Sequence, residues 1–247
     1  MEEKDLISED RFNKLLIKFL LDEPFFSTII RSMKKVKTRK IPTAGVTFVD
    51  DSITLYWNPE FVSSLPYKQM FGLLKHECYH LIFKHLTTRK QDPHLMWNIA
   101  TDLAINSTIP FNELPEGGLV PGKEASFKNK DGSPLSKDIK NKASQLSKFI
   151  KSLPKDKSSE WYMDKLRENK DIQEVINEMF KPGKRSSAGE GEEGQSGSCA
   201  GFDHHFDDQI SDGEKEIIDA KVKKIVKDAV ERADRSNSWG SASSEMK

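Results

Sequence analysis

The chain has 247 residues, of which 36% are hydrophobic and 32% charged, a lean balance that predicts one ordered domain with polar segments attached. Its 39 basic and 39 acidic residues cancel, so no net charge would draw it to nucleic acid or to an anionic membrane. The first residues lack a signal-peptide pattern and no run of roughly 18 apolar residues occurs, so we expect a cytoplasmic protein outside any membrane. The two cysteines, Cys78 and Cys199, form no CxxC pair or disulfide framework.

The first predicted elements are helical. Apolar residues recur at three- and four-residue steps over residues 5–33, and Pro24 divides this stretch into two predicted helices. Two short strands are predicted at 46–49 and 53–57, joined by Asp50-Asp51-Ser52, a composition typical of a tight turn. A β-hairpin is therefore expected just before the strongest helical pattern of the chain.

That pattern covers residues 67–86 and follows Pro66, which favours a helix start. Pro93 opens another predicted helix, which runs to about residue 107. The stretch 111–136 is rich in Pro, Gly and Asn and predicts a loop. Two weaker helical patterns and one charged amphipathic pattern follow. They cover residues 138–153, 159–180 and 211–235.

These elements predict an α+β fold that is mainly helical, with a small β-hairpin or sheet beside the helix over residues 67–86. We assign this domain to residues 1–180. Residues 181–201 are mostly Gly, Ser and Glu and predict a flexible linker. Residues 202–247 are predicted to form a charged, helical C-terminal segment.

The sharpest chemical signal is His76-Glu77-Cys78-Tyr79-His80, an HExxH motif inside the strongest predicted helix. Histidines four residues apart lie about 40° apart around a helix, so both imidazoles can reach one ion, and Zn2+ suits that pair. Glu77 projects about 100° from His76, where its carboxylate can accept a proton from water on the ion without binding the metal. The competing interpretation is a pair of surface histidines on an amphipathic helix.

A site of this kind needs a third protein ligand, and Asp102 is the first candidate. It shares one stripe of an apolar helix with Asn98 and Asn106, and a carboxylate there needs a partner such as a metal ion. His85 is the second candidate. A continuous helix places it about 180° from His76, so it is better suited to orienting a ligand by a hydrogen bond than to binding the ion. Asn98 is a candidate for the same orienting role. Further candidates lie beyond the predicted linker, at Asp203, His204 and His205.

Three stretches together resemble the predicted metallopeptidase domain found N-terminal to von Willebrand factor A-like domains. They are Tyr56-Trp57-Asn58-Pro59-Glu60-Phe61, Leu74-Lys75-His76-Glu77-Cys78-Tyr79-His80 with His85 and Arg89 downstream, and Trp97-Asn98-Ile99-Ala100-Thr101-Asp102-Leu103-Ala104-Ile105-Asn106. The matching core covers roughly residues 40–115. Proteins of this family occur in bacteria and phages, often alongside MoxR-type AAA+ ATPases.

The resemblance implies a zincin-like fold. It supports a metal set of His76, His80 and Asp102 with Glu77 as the catalytic residue. It also implies a role for the Asp203, His204 and His205 element. By the same analogy, a MoxR-type AAA+ ATPase or a von Willebrand-like protein is an expected partner.

Two functions fit these observations. The first is a zinc-dependent peptidase that hydrolyses peptide bonds with a metal-activated water and with Glu77 as general base. The alternative is a catalytically idle zinc-binding interaction module that acts through protein partners. Glu77 favours the peptidase, because a purely structural site has no use for a base there. Nucleic-acid binding is disfavoured, since the basic stretches at 31–40 and 128–151 lack interleaved aromatic residues.

Overall fold

The structure, a computed structural model, describes residues 3–49, 52–129, 134–180, 199–200 and 210–242. The helices are α1 (Glu3–Asp22), α2 (Pro24–Ser32), α3 (Pro59–Ser64), α4 (Tyr67–Ile82), α5 (His94–Thr108), α6 (Lys137–Ser152), α7 (Ser159–Glu168), α8 (Lys170–Met179) and α9 (Asp212–Arg235). The strands are β1 (Lys34–Lys37), β2 (Ala44–Val49), β3 (Ser52–Trp57), β4 (Lys128–Asn129) and β5 (Cys199–Ala200). A 3-10 turn spans Phe111–Glu113. The predicted class, α+β and mainly helical with a small sheet, is confirmed.

A three-stranded sheet in the order β1-β3-β2 lies between α2 and α3 in sequence. Strands β2 and β3 form the predicted antiparallel hairpin, with Val46 opposite Leu55. Strand β1 runs parallel to β3, with Val36 opposite Tyr56, and was not predicted. Three of its four residues are lysines, so it lacks the apolar alternation typical of a strand, and its pairing with β3 is a non-local contact.

Helix α4 ends at Ile82, four residues before the predicted end. Lys84 adopts a left-handed conformation with φ of 58°. The Lys84 N–H donates to the Leu81 carbonyl and the His85 N–H to the His80 carbonyl, both at 3.0 Å, which is the hydrogen-bond pattern of a Schellman motif. Glycine or asparagine is usual at the left-handed position, so a lysine there gave the sequence no stop signal.

The helical pattern over residues 159–180 is two helices and not one. The chain breaks at Asn169, which ends α7 and caps α8 by accepting a hydrogen bond from the Ile172 N–H at 3.1 Å. Asparagine is a good N-cap because its side-chain oxygen satisfies an amide that has no partner within the helix. The single predicted helix is therefore corrected to α7 followed by α8.

Two hydrophobic cores meet at α5. The first is built by α1, α2, the three-stranded sheet, α4 and α9. The second is built by α6, α7 and α8. Helix α5 gives Trp97 and Leu103 to the second core and Ile105 to the first. Since α4 belongs to the first core, the contact between α4 and α5 lies where the two cores join.

The C-terminal helix α9 packs on α2 and α4, and its Ile218 and Val222 are part of the first core. Of the predicted linker over residues 181–201, only Cys199–Ala200 lies among the described residues. The division into a domain over 1–180, a linker over 181–201 and a C-terminal segment over 202–247 is therefore still a prediction. None of the described helices combines the length and the apolar character that crossing a membrane requires.

Candidate metal centre

The two motif histidines lie on a part of α4 that is buried on nearly every side. Pro66 precedes the helix, and His76, Glu77 and His80 have relative exposures of 0%, 1% and 2%. The competing interpretation, a pair of surface histidines on an amphipathic helix, is therefore wrong. Neighbouring Leu74 packs into the first core. Polar groups buried this deeply need hydrogen bonds, charges or ions as partners.

His76, His80 and Asp102 lie close enough together to share one ion. The Nε2 atoms of the histidines are 2.9 Å apart, and Asp102 Oδ1 lies 3.3 Å from His76 Nε2 and 3.5 Å from His80 Nε2. Ligands of a tetrahedral zinc with bonds of about 2.0–2.1 Å are separated by about 3.3 Å. The three atoms therefore fit the spacing of a zinc coordination triangle. They form a potential metal-holding group among the described residues.

Asn106 fixes the orientation of His76. Its Nδ2 donates to the Leu119 carbonyl at 3.0 Å, so its Oδ1 faces His76 Nδ1, 2.9 Å away. His76 Nδ1 therefore carries the hydrogen, which in the neutral imidazole leaves the lone pair on Nε2, the nitrogen that faces Asp102. A metal-binding histidine typically has its second nitrogen held in this way. No role was predicted for Asn106 itself, although its position eight residues after Asn98 and four after Asp102, on the same stripe of the helix, was a usable signal.

His85 lies behind His80 and outside the ligand triangle. Its Nδ1 is 3.4 Å from His80 Nδ1, and its Nε2 is 2.8 Å from the Ser159 hydroxyl. The Trp97 indole N–H also donates to the His85 carbonyl at 2.9 Å. His80 Nε2 faces Asp102, so His85 contacts the nitrogen that points away from the triangle. Ser159, at the start of α7, was not predicted as part of this arrangement.

Cys78 lies inside the motif but packs on the opposite side of α4. Its side chain is buried, and its Sγ lies 3.9 Å from the Phe26 carbonyl. Burial raises the pKa of the Cys78 thiol well above its usual value, and the charge of Glu77 raises it further. Its position against α2, away from the His76, His80 and Asp102 group, places Cys78 outside the candidate metal site.

The other sequence candidates lie elsewhere. The Asn98 amide is 3.1 Å from His94 Nε2, one turn before Asp102 on α5. Asp203, His204 and His205 lie outside the described residues, so their proposed role is still a prediction.

The fold and the site together define a mainly helical α+β domain with a buried His, His and Asp set on two neighbouring helices. The chain belongs to the family described as "Putative metallopeptidase domain", whose model matches residues 8–247. No curated protein and no solved structure matches the chain. The resemblance to a predicted metallopeptidase family is thereby confirmed. The association with von Willebrand-like proteins and MoxR-type ATPases is still a prediction.

Proposed function

We propose that the protein is a zinc-dependent peptidase that hydrolyses peptide bonds in peptide or protein substrates. The observation that carries the proposal is the approach of His76, His80 and Asp102, whose ligand atoms all lie within 4.8 Å of one another. Two imidazoles and one carboxylate are a donor set used by catalytic zinc, which keeps a fourth position open for water or substrate. Membership of a metallopeptidase family supports the same class of reaction.

Zinc, when bound, supplies Lewis-acid chemistry and makes water a nucleophile at neutral pH. In our proposal the residues of the chain divide the remaining work. Asn106 and His85 orient the two histidines through their outer nitrogens, so that both Nε2 lone pairs face Asp102. Glu77 accepts the proton of the attacking water and passes it to the leaving amine.

Glu77→Gln tests this assignment, because the amide keeps the size of the side chain but cannot accept the proton. We expect the variant to keep its zinc and its fold and to lose about 10²- to 10⁴-fold in hydrolysis, the usual contribution of a general base. Zinc content, circular dichroism and cleavage of a peptide library and an unfolded protein would be measured with and without chelator. Glu174→Gln, at an exposed position of α8, is the matched control and should behave as the wild type.

The outcomes separate the two functions. Chelator-sensitive cleavage by the wild type and its loss in Glu77→Gln would support the peptidase. Cleavage that persists in Glu77→Gln would remove Glu77 from the mechanism. A wild type that holds zinc but cleaves nothing would support the zinc-binding interaction module.

A further inference from the structure

The turn that follows the motif helix is held by a residue from the far end of the chain. Asp219 on α9 accepts hydrogen bonds from the hydroxyls of Thr87 and Thr88, the latter at 2.6 Å. Lys84 Nζ lies 2.9 Å from the same carboxylate. All three donors come from residues 84–88, and Asp219 is only 7% exposed. We call these contacts the Asp219 clasp.

The clasp is built around an ionised carboxylate. Burial alone would raise the pKa of Asp219, but the hydrogen bonds from Thr87, Thr88 and Lys84 hold it below its usual value. Hydrogen bonds to a charged acceptor are stronger than neutral ones. The carboxylate is thus matched to three donors and keeps its charge at neutral pH.

The turn itself needs support from outside. Lys84 is in the left-handed region with φ of 58°, a conformation that is unfavourable for a residue with a Cβ atom. The residue that follows the turn, Arg89, makes two hydrogen bonds to Glu160 of α7 at 2.8 and 2.7 Å. The segment is therefore held between α7 and α9, two helices that are distant in sequence.

His85 lies in the middle of this held segment. It is 1% exposed, 3.4 Å from His80 Nδ1 and 2.8 Å from the Ser159 hydroxyl. A change in the turn would move His85 relative to His80. Because His85 contacts His80 Nδ1, such a movement would alter the orientation of the His80 ring and the direction in which its Nε2 points. Asp219 is thus linked to the ligand triangle through Thr87, the backbone of the turn, and the contact of His85 with His80.

We propose that Asp219 is a positioning residue for the metal centre, holding the turn over residues 84–88 so that His85 stays against His80. The proposal rests on the zinc site proposed above. In this proposal α9 supports the metal centre through Asp219, while the ligands His76, His80 and Asp102 come from α4 and α5. The stability of the fold and the arrangement of the metal ligands then both depend on the Asp219 carboxylate. Measuring metal binding on variants that remain folded separates these two effects.

The test measures metal binding by the folded, full-length protein. For Asp219→Ala, zinc affinity would be determined by competition with a chromogenic chelator, and the visible absorption of the cobalt-substituted protein would report ligand geometry. We expect zinc to bind about 3- to 10-fold more weakly, less than the loss on removing a direct partner of a ligand, and the cobalt bands to shift. Asp228→Ala, an exposed aspartate on the same helix, should change neither.

A double-mutant cycle shows whether Asp219 acts through His85. In a His85→Ala background, Asp219→Ala should weaken zinc binding no further, since the residue on which the clasp acts is gone. If Asp219→Ala fails to fold, Thr87→Val and Thr88→Val remove two of the donors and serve the same cycle. Unchanged zinc affinity and cobalt spectrum in the folded variants would overturn the clasp while leaving the zinc site in place. A wild type that binds neither zinc nor cobalt would overturn both proposals.

Discussion

Two buried polar clusters lie side by side on α4, and their buried charges are compensated in different ways. The first surrounds Lys75, whose Nζ is 2.7 Å from Glu23 Oε1 and 2.7 Å from Glu113 Oε2. Glu23 also accepts hydrogen bonds from the Ser241 amide and hydroxyl at 2.8 and 2.7 Å. This cluster contains its own cation, because the lysine ammonium lies between the two carboxylates.

The second cluster begins at the next residue, His76. Here the atoms that meet are the Nε2 atoms of His76 and His80 and an oxygen of Asp102, all acceptors when both imidazoles are neutral and carry their hydrogen on Nδ1. Successive helical residues point about 100° apart, which separates Lys75 from His76 despite their adjacency. Burial and charge are common to both clusters. What distinguishes a metal site is that its acceptors converge on one point, while the outer nitrogens of its histidines are held by Asn106 and His85.

The largest expected effect is on the second cluster. His80→Ala removes one of three ligands, so metal content should fall from about one zinc per chain to less than about a tenth while the helical content persists. Metal analysis of the purified protein measures this directly. His94→Ala is the matched control, because His94 also lies on a helix but contacts Asn98 outside the ligand triangle. Full zinc occupancy in His80→Ala would show that the ion binds elsewhere.

The first cluster should respond in stability and not in metal binding. Lys75→Met leaves the buried Glu23 and the partly buried Glu113 without their cation, and removing one partner of a buried pair costs about 3–5 kcal/mol. Because Glu113 is partly exposed, we expect about 3 kcal/mol, measured by urea unfolding at neutral pH. Zinc affinity of the folded variant should be unchanged. Lys68→Met, at an exposed position of the same helix, should cost less than about 0.5 kcal/mol. Loss of zinc without loss of stability would instead join Lys75 to the metal centre.

The sequence could predict those features that depend on local patterns. Pro24 and Pro66 mark helix starts that the structure has, and the tight-turn composition after β2 correctly indicated a hairpin. The HExxH spacing and the stripe through Asp102 named the three side chains that the structure brings together. Spacing on a helix is enough for such predictions, because 3.6 residues per turn fixes which side chains share a face.

The remaining features depend on contacts between distant parts of the chain. Ser159 and His85 are 74 residues apart, and Asp219 and Thr87 are 132 residues apart, so no local pattern connects them. Strand β1 is held by its pairing with β3, which lies further along the chain. The turn at Lys84 is a local feature. It could not be predicted because glycine or asparagine, and not lysine, is typical of a left-handed position at a helix end.

The smallest expected effect separates the two asparagines of the α5 stripe. Asn106 accepts a hydrogen bond from His76 Nδ1, whereas Asn98 contacts His94. Asn106→Ala should therefore weaken zinc binding by about 10-fold, the lower end of the range for a residue that orients a metal-binding histidine. Asn98→Ala should leave it unchanged. Both affinities would be measured by chelator competition on protein shown to be folded by circular dichroism.

The paired design matters because both substitutions alter one face of one helix, so a general loss of helix packing would affect the two variants alike. Asn106 is 1% exposed and also donates to the Leu119 carbonyl, so its loss costs stability as well as orientation. Asn106→Asp helps to separate these effects, since the carboxylate still accepts from His76 Nδ1 but no longer donates to Leu119. We expect it to regain zinc affinity relative to Asn106→Ala while remaining less stable than the wild type. Equal zinc affinity in Asn106→Ala and Asn98→Ala would mean that the convergence of acceptors alone, without a held outer nitrogen, defines this site.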